Sequence, residues 1–137
     1  GTFHALKVAE PFLDDEFLVM MADDLYAKND VEKLMQYKNA MLVKQIKDGS
    51  EHFGHCVEKD GLLRDLIEKQ PGIPHPLVCC GPLKLTREIF HEPIVYAPSG
   101  EEGLTLMVGR MSQRIPVHLV RASFWHPIAT PDDLLIA

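Results

Sequence analysis

The run Phe17-Leu18-Val19-Met20-Met21-Ala22, closed by Asp23 and Asp24, constrains the fold of this chain more than any other stretch. Its six residues hold no charge and no turn former. Such a run suits a strand buried on both faces of a parallel sheet. Open α/β sheets bind ligands outside the carboxyl ends of their strands. A carboxylate at that point can hold a divalent cation, and the cation can hold phosphate. The plainer reading is that Asp24 caps a turn or helix start and Asp23 is solvated punctuation.

The rest of the chain alternates around this run. Leu6, Ala9 and Leu13 fall at helical spacing, with Thr2 as the expected N-cap and Pro11 as the expected end. Asn29 or Asp30 opens a helix through Lys38, with Val31, Leu34 and Met35 on one face. Residues Ala40 to Ile46 read as the next strand. Residues His52 to Glu58 and Leu62 to Glu68 flank Asp60-Gly61, a strong hairpin signal. Four glycines and prolines between Gln70 and Pro76 mark a loop. A strand from Leu77 to Cys80, a short helix from Arg87 to Phe90 and a loop from Pro93 to Gly100 follow. A helix spans Glu101 to Gln113, weakened by Gly103 and Gly109. Its Leu104, Met107 and Met111 are expected in the core. Residues Pro116 to Ala122 alternate like a strand, and Pro131 opens a last helix with acids in its first turn. The order predicts a single α/β domain over residues 1–137 with a mixed, mostly parallel sheet flanked by helices.

Composition narrows the partners. The net charge of -6 argues against a nucleic-acid backbone as the main one. No apolar run approaches the ~20 residues that span a bilayer, and no signal peptide is visible, so the expected location is cytoplasmic and off the membrane. Cys56, Cys79 and Cys80 read as reduced, buried thiols rather than a disulfide framework. His52 and His55 are three apart, and no third ligand has metal-site spacing. The catalytic residues are unknown from the sequence.

Seven segments, in order, resemble the sugar nucleotidyltransferases, the NDP-sugar pyrophosphorylases. They are Gly1-Thr2 with Ala5; Phe17 to Tyr26; Phe53-Gly54 with Val57-Glu58; Ile67-Glu68-Lys69-Gln70-Pro71; Leu77 to Gly81; Gly100-Glu101 with Leu104-Thr105; and Trp125 to Ala137. The resemblance implies a partial Rossmann-like nucleotidyltransferase fold, covering only the later part of that catalytic domain. It implies transfer of a nucleotidyl group from a nucleoside triphosphate to a sugar 1-phosphate, releasing pyrophosphate. It places Gly1 and Thr2 near the nucleobase, and Gly54, Glu68, Lys69 and Gly81 around the sugar phosphate. It makes Asp23 a ligand for Mg²⁺, bound weakly. The partners implied are a sugar 1-phosphate or an NDP-sugar.

The departures from the family pattern are specific. The glycine-rich loop that grips the triphosphate is absent, so the expectation is a domain inactive alone. Cys79 stands at a usual Asn, Leu106 at a usual Asp, Ala129 at a usual Gly, and Pro127 at the second metal-binding Asp. The alternative is a non-catalytic module that binds sugar phosphate or associates with itself. A homo-oligomer is expected because half of a doubly wound sheet leaves an edge and an apolar face uncovered. Without the resemblance, Glu68 and Lys69 read as a solvated strand end, and Gly54 and Gly81 as turn or bulge positions.

Overall fold

A computed structural model describes residues 1–67 and 72–137 of the chain. Helix α1 (Thr2–Ala9) runs into a 3-10 turn at Pro11 and then strand β1 (Glu16–Val19). Strand β2 (Asp24–Tyr26), helix α2 (Lys28–Leu34) and strand β3 (Ala40–Gln45) follow. Strands β4 (His55–Lys59) and β5 (Leu62–Ile67) form the hairpin, and β6 (Leu77–Thr86) is the longest strand. Helix α3 (Leu104–Met111), strands β7 (His118–Arg121) and β8 (Trp125–Pro127), and helix α4 (Pro131–Leu135) complete the order.

The sheet is mixed, as expected, with the order β1-β6-β3-β7-β5-β4. Its pairings are mostly antiparallel, which corrects the expectation of a mostly parallel sheet. Only β3 and β7 pair in parallel among the described residues. Strand β6 lies between β1 and β3 and runs against both. An apolar run reports burial, and says nothing of the neighbour's direction.

The position of the Phe17 run is also corrected. Strand β1 stands at the sheet's edge, paired to β6 alone, and Met20 is exposed beyond its end. The strand buried on both faces is β3, whose Ala40, Met41, Leu42 and Val43 are all fully enclosed. Met41 and Val43 face one apolar layer with Phe3, Leu6 and Met107 from α1 and α3. Ala40 and Leu42 face the other, with Leu34 of α2 and Trp125. This two-sided burial is the arrangement that a sheet covered by helices on both faces produces.

Local chemistry explains the joints. Asp60 (φ 55°) and Gly61 (φ 77°) form the two-residue hairpin turn, both left-handed as a type I′ turn needs. Between Met41 and Val43 the register on β6 jumps from Leu83 to Cys79, so Cys80, Gly81 and Pro82 bulge opposite Leu42. Gly81 (φ 110°) and Pro82, which has no N–H to offer, make that bulge and carry the strand past Cys80 to Thr86. Gly109 lets α3 lie against β5, because a Cβ there would come 2.8 Å from the Cβ of Leu66. Thr130 and Asp133 cap α4 reciprocally, and this holds the Asp133 carboxyl below its ordinary range.

Candidate functional site

A cavity of about 250 Å³ opens on the face of the sheet that carries α1 and α3. Thr2 and Leu104, at the first residues of those two helices, form one wall. Phe53 and Gly54, just before β4, form another. Met21, Cys79, Gly81 and Leu83 supply the sheet side. The structure therefore brings Thr2, Gly54 and Gly81, which lie far apart in the chain, to one place. Thr2 does not cap its own helix, as the sequence had suggested. Its Oγ1 instead accepts the Leu104 N–H at 3.2 Å, so it ties the start of α1 to the start of α3. Lys7 and Glu102 reinforce that junction with an ion pair at 3.1 Å.

Each glycine has a packing reason of its own. A Cβ on Gly81 would come 2.7 Å from Met21 Cγ and 3.1 Å from the Tyr26 hydroxyl. A Cβ on Gly54 would meet Leu66 Cδ2 at 3.2 Å. A Cβ on Gly1 would strike the Glu102 carbonyl at 2.6 Å, and Gly1 lies outside the cavity lining. Gly54 and Gly81 are small so that the cavity walls can close on one another.

The two acids after β1 have separate roles. Asp24 accepts three hydrogen bonds: from Trp125 Nε1 at 3.0 Å, the Tyr26 hydroxyl at 3.1 Å and the Ile128 N–H at 3.3 Å. It sits opposite Pro127 in the β2–β8 ribbon. Asp23 is exposed in the turn before it and does not line the cavity. Among the described residues no group of three His, Cys, Asp or Glu side chains could hold a metal.

The single proton of the Tyr26 hydroxyl is shared between Asp24 and the Cys80 carbonyl, 3.1 Å from each, and burial together with the Asp24 charge pushes its ionisation upward. Burial raises all three thiols; that of Cys79 stands at about 11, held there against the lowering effect of the Gly81 N–H. None of the three has the profile of an activated nucleophile. Glu68 and Lys69 lie outside the described residues. Met21, His52, Leu66 and Thr105 line the cavity without having been assigned a binding role from the sequence. Of these, His52 adjoins the Phe53-Gly54 segment and Met21 lies in the run before Asp23, so the motifs held a signal for both.

No protein-family model matches the sequence. Individual proteins do. The chain is 30% identical over 141 residues to the bifunctional protein GlmU of Methanocaldococcus jannaschii, across 100% of this chain and 34% of that protein. It is 33% identical over 106 residues to the UTP–glucose-1-phosphate uridylyltransferase AglF of Haloferax volcanii, across 72% of this chain and 44% of that protein. The chain therefore spans less than half the length of either relative. In structure it matches an apo UDP-glucose pyrophosphorylase with a TM-score of 0.82 at 17% identity, over 99% of this chain and 57% of that one. The fold is the Rossmann-like α/β fold of the nucleotidyltransferases. Within that class, the chain fits part of a sugar nucleotidyltransferase-like domain.

Proposed function

We propose that the chain is the sugar-binding portion of a sugar-1-phosphate nucleotidyltransferase. In the reaction, a phosphate oxygen of the sugar 1-phosphate attacks the α-phosphorus of a nucleoside triphosphate. A new P–O bond forms, the bond to the β-phosphate oxygen breaks, and pyrophosphate leaves. The convergence of Thr2, Gly54 and Gly81 on one cavity carries this reading. The cavity walls exclude water from one side of the sugar and fix its orientation. Lys69 neutralises phosphate charge and Glu68 accepts hydrogen bonds from sugar hydroxyls; for both, support comes from the sequence resemblance. Mg²⁺, when bound beside Asp23, supplies further charge neutralisation.

These 137 residues alone are proposed to make no NDP-sugar. Pro127 offers no carboxylate opposite Asp24, and the triphosphate-gripping loop is not in the sequence. The test has two parts. Pyrophosphate release is assayed with Mg²⁺, the common triphosphates and several sugar 1-phosphates, and none is expected. Calorimetry with glucose 1-phosphate and UDP-glucose is expected to show weak binding. Turnover lost in Asp23→Ala would overturn the first expectation, and silence in the calorimeter the second.

A self-associating module is the second reading. The open edge of β1 and Phe12, which is 87% exposed, favour it. Light scattering at micromolar concentration distinguishes a dimer from a monomer.

A further inference from the structure

On the reading of the cavity as a sugar-phosphate site, we infer that Tyr26 and Trp125 are positioning residues for it, acting together through one oxygen of Asp24. Among the described residues neither side chain lines the cavity. Each packs against a wall that does. The Tyr26 hydroxyl lies 3.1 Å from the carbonyl of Cys80, which sits between the wall residues Cys79 and Gly81. It lies equally close, 3.1 Å, to where a Cβ on Gly81 would stand. The Trp125 ring meets Phe53 edge-on, with centroids 4.9 Å apart and planes at 69°. Phe53 is itself a wall residue. Both side chains converge on Asp24 Oδ2, the hydroxyl at 3.1 Å and the indole N–H at 3.0 Å.

One carboxylate oxygen thereby joins two walls that come from separate parts of the chain. The Cys79 to Gly81 stretch of β6 belongs to one, and Phe53-Gly54 is the other. Backbone pairing holds the walls together at one point, where the Cys79 N–H donates to the Gly54 carbonyl at 3.1 Å. The bridge from Tyr26 through Asp24 to Trp125 holds them at a second. It does so from the apolar layer on the opposite face of the sheet, to which Tyr26, Phe53 and Trp125 all belong. Two points of attachment fix the angle between the walls. Walls that are already ordered spare a ligand the entropy of ordering them, so the bridge raises affinity without touching the ligand.

In the test, glucose 1-phosphate is titrated into the native chain, Tyr26→Phe, Trp125→Phe and the double variant. The Kd is read from amide shifts at Gly54 and Cys79, and urea midpoints are measured alongside. Each single variant keeps an aromatic ring and loses its bond to Asp24. Each is expected to weaken binding about tenfold. The double variant is expected to lose little more than either single, because both act through one oxygen. Asn39→Ala removes the acceptor of the Thr86 N–H at the far end of β6, and is expected to lower the midpoint with Kd unchanged. Native affinity in both single variants overturns the inference while leaving the sugar-phosphate reading intact. A double variant whose loss is the product of the two single losses does the same. So does an equal loss in Asn39→Ala, since affinity would then simply follow stability. If glucose 1-phosphate does not bind the native chain at millimolar concentration, that reading falls and this inference with it. Should Trp125→Phe not fold, Tyr26→Phe and Asn39→Ala still decide.

Discussion

Trp125 donates its indole N–H to Asp24 at 3.0 Å, across 101 positions of sequence. This bond joins the turn after β1 to the segment that leads into α4, and Tyr26 and Ile128 complete the same carboxylate's contacts. Asp24 is therefore a structural acid. Its neighbour Asp23 is exposed and free of any such duty among the described residues.

That division predicts opposite outcomes for adjacent alanines. Asp24→Ala removes three charge-assisted bonds and strands the Trp125 N–H, and is expected to cost about 3 kcal/mol in urea unfolding. Asp23→Ala is expected to change stability by less than ~0.5 kcal/mol. Trp125 is the chain's one tryptophan, so its fluorescence reports the loss directly.

Gly81→Ala meets two obstacles: a φ of 110° and a 2.7 Å contact with Met21 Cγ. It is expected to destabilise the chain by about 1–3 kcal/mol. Adding Met21→Ala should recover only the part due to the contact. Gly100→Ala, with φ 85° and open space around the Cβ, isolates the backbone part. Denaturant midpoints of these three variants measure both.

Lys84 is 3% exposed and donates to Glu16 at 2.5 Å and to the Tyr37 carbonyl at 3.0 Å. The hydrogen bond and charge of Lys84 hold the Glu16 carboxyl below its ordinary 4.5. A depressed carboxyl stabilises the fold above that ordinary value and ceases to do so as pH falls through its folded value. Stability is therefore expected to drop below about pH 4.5 through this pair, and below about pH 3.8 through Asp133, whose carboxyl is also depressed. In Glu16→Gln the acid loss should be shallower. Thermal melts between neutral pH and pH 3 compare the two slopes.

Cys79 is part-exposed at the cavity, whereas Cys56 and Cys80 are buried. Iodoacetamide should label Cys79 first. With its thiol at about 11, the rate should keep climbing with pH well past neutrality. Saturating sugar phosphate should slow this labelling. Mass spectrometry of the digested protein identifies the site and rate.

The sequence was most informative where local chemistry decides structure. Asp60-Gly61 specified its hairpin turn because few other residue pairs accept two positive φ values. Ala40 to Gln45 could be read as a strand, since its apolar run has the right length. The ribbon of β2 and β8 could not be read, because three residues per strand are too few to show a period. Its stability comes from Asp24 and Trp125, which meet only in three dimensions. The continuation of β6 past Gly81-Pro82 was hidden for a related reason. Those two residues normally end a strand, and here they form a bulge within one. For the site, Thr2, Gly54 and Gly81 were visible as short motifs. Their apolar neighbour Met21 lay within another of the motifs, but its residue type alone signals core.

The cavity between α1, β4 and β6 is proposed to receive a sugar phosphate. Amide chemical-shift mapping during titration with glucose 1-phosphate puts this to the test. Saturable shifts are expected at Thr2, Gly54, Cys79 and Gly81, with Gly49 and Gly100 unmoved. Saturable shifts elsewhere with those four amides still, or no shifts at millimolar ligand, would contradict it.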